Sequence, residues 1–382
     1  MSALPPPSAD ALAHSQKLVQ HIRQEIAAAG GWISFARYME LALYAPGLGY
    51  YAAGARKFGA AGDFVTAPEM TPLFGQALAR QLAQIMACSA PQLLEAGAGT
   101  GRLAADLLLA LEAMDALPER YAILELSSDL KQRQQATLAD AAPHLLSRVV
   151  WLDALPDRFS GAIVGNEVLD AMPVHLAAWT TDGLAERGVT VQGECFAWSD
   201  RPACERLLTI AASLGEFPPG YQSEIALAAP AWAAAWGDIL ECGAAILIDY
   251  GSPRREYYHP QRTGGTLMCH YRHQAHADPF YLPGLQDITV HVDFTAIIIA
   301  ADAAGLTLGG YTSQGQFLLN CGILDLLAAL PSDSLDYVRA AGAVNKLVMP
   351  HEMGELFKVM ALSKGMDAPL SGFTQGDQSF RL

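Results

Sequence analysis

The 382-residue sequence predicts an α/β fold built on a seven-stranded Rossmann-like sheet, with an N-terminal helical extension and an inserted subdomain. Three observations support this fold class. Apolar runs alternate with helix-like segments from residue 92 to 170, as expected of parallel βαβ units. A glycine-rich turn follows the first of these runs. A further apolar run at 244–251 is predicted as the fifth central strand.

Changes in composition divide the chain into parts. Pro5–Pro7 and the scarcity of bulky side chains around them predict disorder at the start. Segments 15–43 and 71–87 predict helices, while 174–198 has β-like runs and 203–243 is predicted to be helical. The predicted parts are a disordered N-terminus (1–14), an N-terminal helical and cover region (15–90), the Rossmann-like core (91–173 and 244–365), the inserted subdomain (174–243) and a C-terminal tail (366–382).

The glycine-rich turn lies between Gln92 and Arg102, where an apolar run carries an acid and glycines then occupy alternate positions. Glycine removes Cβ where a strand turns sharply into a helix, so the backbone can approach a ligand closely. The dinucleotide pattern G-x-G-x-x-G would need glycine at 102 or 104, which hold arginine and alanine. The spacing instead resembles the first motif of class I methyltransferases that use S-adenosylmethionine, with a plain structural turn as the alternative. The residues predicted to bind the cofactor here are Glu95, Gly97, Gly99 and Gly101.

The second and third apolar runs also end in acids. Glu125 closes the second run, where a carboxylate can accept hydrogen bonds from both hydroxyls of a ribose. Leu126, the next residue, is predicted to line the same site. Asp153 closes the third run and is suited to the amino group of adenine. For both acids, a solvated charge at the end of a strand is the alternative.

The fourth run has the most distinctive end, Asn166-Glu-Val-Leu-Asp170. Ligands bind at the carboxyl ends of strands in doubly wound sheets, so we predict Glu167, Asp170 and Asn166 as catalytic residues. If a helical turn begins near Asn166, the two acids share a face and could hold a cationic acceptor such as a guanidinium. The alternative is a helix start with Asn166 as N-cap and acids that complement the helix dipole.

Four motifs together resemble one family. In chain order they are Gly62–Glu69 with Phe74-Gly75, the glycine loop, Asn166–Pro173 and Val292–Phe294. This order is similar to that of the MidA-type proteins, whose mitochondrial members assist assembly of respiratory complex I. The resemblance covers about residues 20–365, and it departs from the common loop only in having Ala98 where proline is frequent. It implies a class I methyltransferase that uses S-adenosylmethionine and acts on an arginine of a protein. A respiratory-complex subunit is one candidate for that protein substrate.

Three other segments carry polar side chains that need an interpretation. A loop with Asp63 and Glu69 is predicted to cover the cofactor, with a structural turn as the alternative, and Glu69 is counted among the cofactor residues. Asp293 is predicted to cap the helix that follows it. Histidines at 270, 273 and 276 are interpreted as loop residues, because on a helix His276 would lie away from the face that His270 and His273 share. We predict no metal.

Composition narrows the partners. A net charge of −15 argues against nucleic acid, since phosphate binding relies on clustered Lys and Arg. No apolar run approaches the roughly 20 residues that span a bilayer, so no membrane insertion is predicted. Six scattered cysteines indicate reduced thiols, and the start of the chain lacks the features of a targeting signal, so we expect a cytoplasmic protein. The apolar insertion is the only feature that suggests a homodimer.

Two other functions are compatible with parts of this pattern. A scaffold protein for assembly could bind S-adenosylmethionine and catalyse little or nothing. A nicotinamide-dependent oxidoreductase is disfavoured by the glycine spacing and by the lack of a Tyr-x-x-x-Lys pair. Binding of NAD or of S-adenosylmethionine distinguishes the oxidoreductase from the other two, and labelled methyl transfer distinguishes an enzyme from a scaffold.

Overall fold

The computed structural model describes residues 4–52 and 66–382. These residues form two compact units, and each unit draws on separate parts of the chain. The first unit contains 4–52, Leu169–Ala231 and Ser252–Ala296, and the second contains 66–168, Trp232–Gly251 and Ile297–Leu382. In the described part of the chain, no helix is both long enough and apolar enough to cross a membrane.

The secondary structure alternates along most of the chain. The helices in the described residues are α1 Ala9–Ala28, α2 Phe35–Tyr44, α3 Ala67–Met70, α4 Pro72–Cys88, α5 Arg102–Ala113, α6 Ser128–Ala141, α7 Glu205–Leu214, α8 Ala228–Ile239, α9 Arg254–Tyr257, α10 Phe294–Ala303, α11 Gln314–Asn320, α12 Ile323–Ala328, α13 Leu335–Val348 and α14 Met353–Leu356. Short 3₁₀ helices occupy Pro143–Arg148, Ser371–Phe373 and Ser379–Arg381. The strands are β1 Ile33–Ser34, β2 Gln92–Ala96, β3 Arg120–Leu124, β4 Val149–Leu152, β5 Phe159–Asn166, β6 Val174–Thr180, β7 Gly183–Gln192, β8 Cys195–Pro202, β9 Gln222–Ala226, β10 Leu240–Ser252, β11 Met268–Tyr271, β12 Gln274–His276, β13 Asp287–Thr289, β14 Val292–Asp293, β15 Thr307–Ser313 and β16 Phe357–Lys364.

The second unit carries the sheet predicted from the apolar runs. Seven strands lie side by side in the order β15-β16-β10-β5-β2-β3-β4. The pairs from β10 to β4 are parallel, whereas β16 is antiparallel to both β10 and β15. Chain order reverses at β2, which lies between β3 and β5, and such a reversal places a ligand crevice at the carboxyl ends of the strands. The class I methyltransferase fold is thereby confirmed.

The strands of this sheet are buried because they lie between helices. Four neighbouring strands each contribute a fully buried side chain: Leu93, Ile123, Val164 and Ile246. These side chains belong to one apolar cluster with residues of α4 and α5. Gly75, part of the first motif that resembles the MidA-type proteins, lets α4 and α5 approach. A Cβ atom on Gly75 would lie 2.8 Å from that of Asp106. This glycine therefore serves helix packing.

The first unit contains an antiparallel sheet around β7. Strand β7 pairs with β8, β6 and β1, and β9 pairs with β6. Helix α1 contributes Leu18, Ile22 and Ile26, which recur at every fourth position and are buried in the same apolar cluster as Val174 and Val189 of the sheet. A second small sheet has the order β12-β11-β13.

The start of α1 corrects the prediction of disorder through residue 14. The helix begins at Ala9, and the Ser8 side chain accepts a hydrogen bond from the Ala11 backbone N–H at 3.2 Å. A serine cap satisfies one of the backbone donors that a helix start leaves open. Burial further along the same helix then stabilises its first turns, so composition alone was a poor guide there.

Two further secondary-structure predictions were wrong. The segment 203–243 is interrupted by β9, because its backbone pairs with β6 from Val174↔Ala226 to Ala178↔Gln222. The three histidines lie not in a plain loop but on and between β11 and β12. Arg272 and His273 have φ of +48° and +61° there, as a tight hairpin turn requires. In contrast, Asp293 accepts a hydrogen bond from the Ala296 N–H at 3.2 Å, which confirms the predicted cap.

The units also divide the chain differently from the predicted parts. The N-terminal region 15–90 contributes to both units, and residues 252–296, predicted as core, belong to the first. The tail 366–382 belongs to the second unit, where the Gly372 N–H donates to Gln81 Oε1 at 2.7 Å and Phe373 is buried. Contacts between residues far apart in sequence decide these memberships, and local patterns do not record them.

Candidate functional site

The glycine loop joins β2 to α5 at the point where chain order in the sheet reverses. Gly97, Gly99 and Gly101 have φ of +66°, +51° and +84°, a region that L side chains rarely adopt. The Gly101 N–H donates to the Ala98 carbonyl at 2.7 Å, and the helix begins at the next residue. The three predicted glycines thus form a tight loop whose backbone is open to close approach.

Glu125 lies directly after β3, the strand that pairs with β2, and the glycine loop follows β2. Its side chain is 8% exposed, and its Oε1 accepts a hydrogen bond from the Ser127 N–H at 2.8 Å. Burial raises the pKa of this carboxyl, while the donors around it oppose the rise. Leu126, the neighbouring residue, is 77% exposed. A buried acceptor beside an exposed apolar surface suits the ribose and base of a nucleoside.

Glu95 lies within β2 and differs from Glu125 in its surroundings. The side chain is buried, and the Tyr121 hydroxyl on the neighbouring strand donates to its Oε2 at 2.7 Å. Burial raises the pKa of Glu95 to about 7, and the Tyr121 hydrogen bond limits the rise. The structure therefore places this predicted cofactor residue inside the sheet, bonded to a tyrosine. Whether Glu95 contacts the cofactor stays a prediction.

Asp153 and Glu69 have different partners. Asp153 follows β4, is 87% exposed and forms an ion pair with Lys131 on α6, as an ordinary surface acid would. Glu69 lies on α3, and its Oε1 accepts a hydrogen bond from the Thr100 hydroxyl in the glycine loop at 2.5 Å. Glu69 thus contacts the predicted cofactor loop directly. Asp63 and the rest of the predicted cover up to residue 65 lie outside the described residues.

Asn166 and Glu167 lie at the carboxyl end of β5, next to β2. Glu167 has a φ of +53°, and its N–H donates to the Ile248 carbonyl on β10 at 2.9 Å. The Val168 N–H then donates to Asp249 Oδ2 at 3.2 Å. The Asn166 amide donates to Glu167 Oε1 at 3.1 Å, whereas its own Oδ1 is buried and accepts no hydrogen bond from the described residues.

This backbone corrects the predicted helical turn. Residues 167–173 form bends and turns, so Asn166 is not an N-cap and the two acids do not share a helix face. The cause is the hydrogen bond of Glu167 to β10, which continues the strand pairing by one residue past β5. Asp170 belongs to the first unit, where it is 5% exposed and its carbonyl accepts from the Val290 N–H at 3.0 Å.

One buried residue near the glycine loop was missed by the sequence analysis. Gln134 on α6 is 0% exposed, and its Nε2 donates to the Gly99 carbonyl at 3.1 Å and to Glu125 Oε2 at 3.0 Å. A signal was present in the sequence. Gln134 lies midway between Leu130 and Leu138 at a spacing of four, on the face that α6 buries.

These residues fit an adenosyl cofactor. The loop offers open backbone, Glu125 offers a buried acceptor, Leu126 offers an exposed apolar surface, and Asn166 Oδ1 is a buried acceptor that lacks a donor from the described residues. All four belong to the second unit and lie at the carboxyl ends of β2, β3 and β5. A sheet and site of this kind define a class I methyltransferase that uses S-adenosylmethionine.

Comparisons with known proteins agree with this class. A family described as "Putative S-adenosyl-L-methionine-dependent methyltransferase" matches residues 75–312. The protein arginine methyltransferase NDUFAF7 of Danio rerio mitochondria is 28% identical, over 94% of this chain and 93% of the relative. The Drosophila melanogaster homologue is 28% identical, over 94% of this chain and 88% of its own length.

A solved structure matches more closely than these relatives. A protein from Burkholderia thailandensis bound to S-adenosyl-homocysteine has 53% identity and a TM-score of 0.97, with 100% of both chains covered. A native crystal structure from the same organism gives 52% identity and a TM-score of 0.94. The chain belongs to the MidA-type family of S-adenosylmethionine-dependent methyltransferases. Its cofactor is S-adenosylmethionine, and the nicotinamide alternative is set aside.

Proposed function

We propose that this methyltransferase transfers its methyl group to the guanidinium of an arginine in a protein substrate. The observation that carries the proposal is Glu167, a carboxylate fixed in a left-handed backbone conformation at the end of β5. Strained backbone conformations cluster at functional sites, and Glu167, unlike Arg272 and His273, does not lie in a hairpin turn. The names of the curated relatives, protein arginine methyltransferases, support the same acceptor.

The chemistry asks little of the protein beyond orientation and charge. S-adenosylmethionine supplies an activated methyl on a sulfonium, and the acceptor nitrogen must be aligned with it. A carboxylate can bind a guanidinium through two parallel, charge-assisted hydrogen bonds and accept its proton. Glu167 is the residue we assign to this role. Asn166 holds Glu167 Oε1 through its amide at 3.1 Å and so limits the orientations of the carboxylate.

The cofactor would be held by the residues at the ends of the neighbouring strands. The glycine loop provides backbone on one side, and Glu125 provides an acceptor for ribose hydroxyls on the other. Glu69 would act through Thr100, to which it is hydrogen-bonded. Asp170 stays a predicted second acid for the acceptor, and Asp153 a predicted contact for adenine.

Methyl transfer from labelled S-adenosylmethionine tests the acceptor. The purified protein is incubated with peptides that contain arginine, and with matched peptides in which lysine replaces each arginine. We expect label only on the arginine peptides, and mass spectrometry should locate the methyl on the guanidinium. Label on lysine or on a carboxyl group would contradict the proposal. Tight cofactor binding without any transfer to protein would favour the scaffold function instead.

Three wider proposals concern the substrate, the location and the oligomeric state of the enzyme. A respiratory-complex subunit is the first protein substrate to test, because the resemblance to the MidA family points there. A cytoplasmic location and a homodimer are retained from composition alone, and the curated relatives named above are mitochondrial. Fractionation of cells with an antibody to the protein tests the location, and light scattering of the purified protein tests the dimer.

A further inference from the structure

Gln134 forms a buried polar connection that the methyltransferase chemistry does not itself require. Its side chain is 0% exposed, and it lies on α6 between the buried residues Leu130 and Leu138. Burying an amide costs free energy unless its donors and acceptor are satisfied. A leucine at this position would continue the apolar face of the helix, so the choice of glutamine needs a reason.

The hydrogen bonds of Gln134 fix the direction of its amide. The Trp151 indole N–H on β4 donates to Gln134 Oε1 at 2.9 Å, and an indole nitrogen can only donate. The Nε2 group must therefore point the other way, where its two hydrogens reach the Gly99 carbonyl and Glu125 Oε2. All three polar contacts are satisfied at once, and two of them fall on predicted cofactor residues.

Other contacts of α6 fix the loop at the same place. One turn after Gln134, the Thr137 hydroxyl donates to the Thr100 carbonyl at 2.8 Å. A Cβ atom on Gly101 would lie 2.9 Å from the Gln134 Cα atom, so only glycine permits this packing. Helix α6 therefore contacts three successive residues of the glycine loop, at 99, 100 and 101.

We propose that Gln134 is a positioning residue for S-adenosylmethionine, which sets the distance between the glycine loop and the Glu125 carboxylate without touching the methyl acceptor. The Gln134 NH₂ group bonds to both the glycine loop and the Glu125 carboxylate. Without that group, the loop and the carboxylate could move independently of each other. The proposal relies on the cofactor class and not on arginine as acceptor, so it is tested by binding in the absence of any acceptor.

The test compares two buried glutamines. Gln134→Leu removes the connection, and Gln81→Leu is the matched control, because Gln81 is also 0% exposed but bonds to Gln84, Ser371 and Gly372. Calorimetric titration with S-adenosylhomocysteine should give a Kd about tenfold higher or more for Gln134→Leu, as expected for lost ordering of a charge-assisted hydrogen bond. The Kd of Gln81→Leu should stay within about twofold of wild type.

A second measurement reads the loop without ligand. Hydrogen exchange at the amides of 97–101 should be faster in the ligand-free Gln134→Leu protein than in wild type, and unchanged in Gln81→Leu. Equal Kd values for wild type and Gln134→Leu would overturn the proposal, as would an equal loss in both variants. If Gln134→Leu does not fold, Trp151→Phe decides: a Kd raised about two- to fivefold supports the proposal, and an unchanged Kd overturns it.

Discussion

The buried carboxyl of Glu95 should make stability depend on pH in an unusual direction. In the wild-type protein the Tyr121 hydroxyl donates to Glu95 Oε2 at 2.7 Å. Glu95→Gln keeps the shape of the side chain and an oxygen that can accept this hydrogen bond, but it removes the ability to ionise. The substitution therefore isolates the cost of charge at this position. Glu119→Gln, at an exposed position just before β3, is the matched control.

The size of the effect follows from the pKa of Glu95. Burial is its main cause, and a rise from 4.5 to about 7 corresponds to about 3 kcal/mol. Below pH 4.5 the carboxyl is protonated in the folded and unfolded states, so it contributes nothing. Between 4.5 and about 7 only the folded state keeps the proton, so the free energy of unfolding falls as pH rises. Above that range the full cost remains.

The assay is urea unfolding of the ligand-free proteins from pH 4.5 to pH 8, followed by circular dichroism. Glu95→Gln should gain about 3 kcal/mol relative to wild type across this range, and the difference should level off above pH 7. The control Glu119→Gln should differ from wild type by less than about 0.5 kcal/mol at every pH. Parallel curves for wild type and Glu95→Gln would refute the reasoning, because the carboxyl would then be ionised at the same cost in both states.

Three other substitutions test the site. Glu125→Ala should raise the Kd for S-adenosylhomocysteine at least tenfold, or about 1.4 kcal/mol, and an unchanged Kd in calorimetry would remove Glu125 from the cofactor site. Glu167→Gln should lower turnover about tenfold or more and leave that Kd within about twofold, whereas lost binding would move Glu167 into the cofactor site. Glu167→Gly should abolish turnover. Its free energy of unfolding should equal that of wild type or exceed it by up to about 1 kcal/mol, because glycine adopts a φ of +53° without strain. A clear loss of stability would show that the Glu167 side chain stabilises the fold.

The turn and the strand ends that carry the predicted cofactor residues could be predicted because they are encoded locally. Gly97, Gly99 and Gly101 form the sharp turn from strand to helix that was predicted for them, and Glu125 follows its strand as the apolar run implied. Each of these features depends on one strand and the turn after it. A short stretch of sequence therefore contains the whole signal, and the sheet only has to bring the strands together.

Gln134 and Asp153 show where local reasoning ends. Gln134 resembles the many polar residues of α6, and only its place between two leucines marks it as buried. Asp153 resembles Glu125 in sequence, at the end of a strand, but it lies 87% exposed in an ion pair. Helix α6 contacts both acids, but its buried residue Gln134 bonds to Glu125, whereas Lys131 pairs with Asp153 at the surface. That information belongs to the packing of α6 and is absent from either motif.

At Glu167 the predicted local structure was wrong, while its catalytic role stays a prediction. The acids after β5 suggested a helix start, but a hydrogen bond to Ile248, 81 residues further along, holds Glu167 in the left-handed region instead. Glutamate there costs about 1 kcal/mol that glycine would not, and asparagine would adopt the same conformation more readily. A fold that needed only the turn would be better served by either residue. This cost is the physical reason for proposing that the Glu167 carboxylate is kept to hold the acceptor in the proposed reaction.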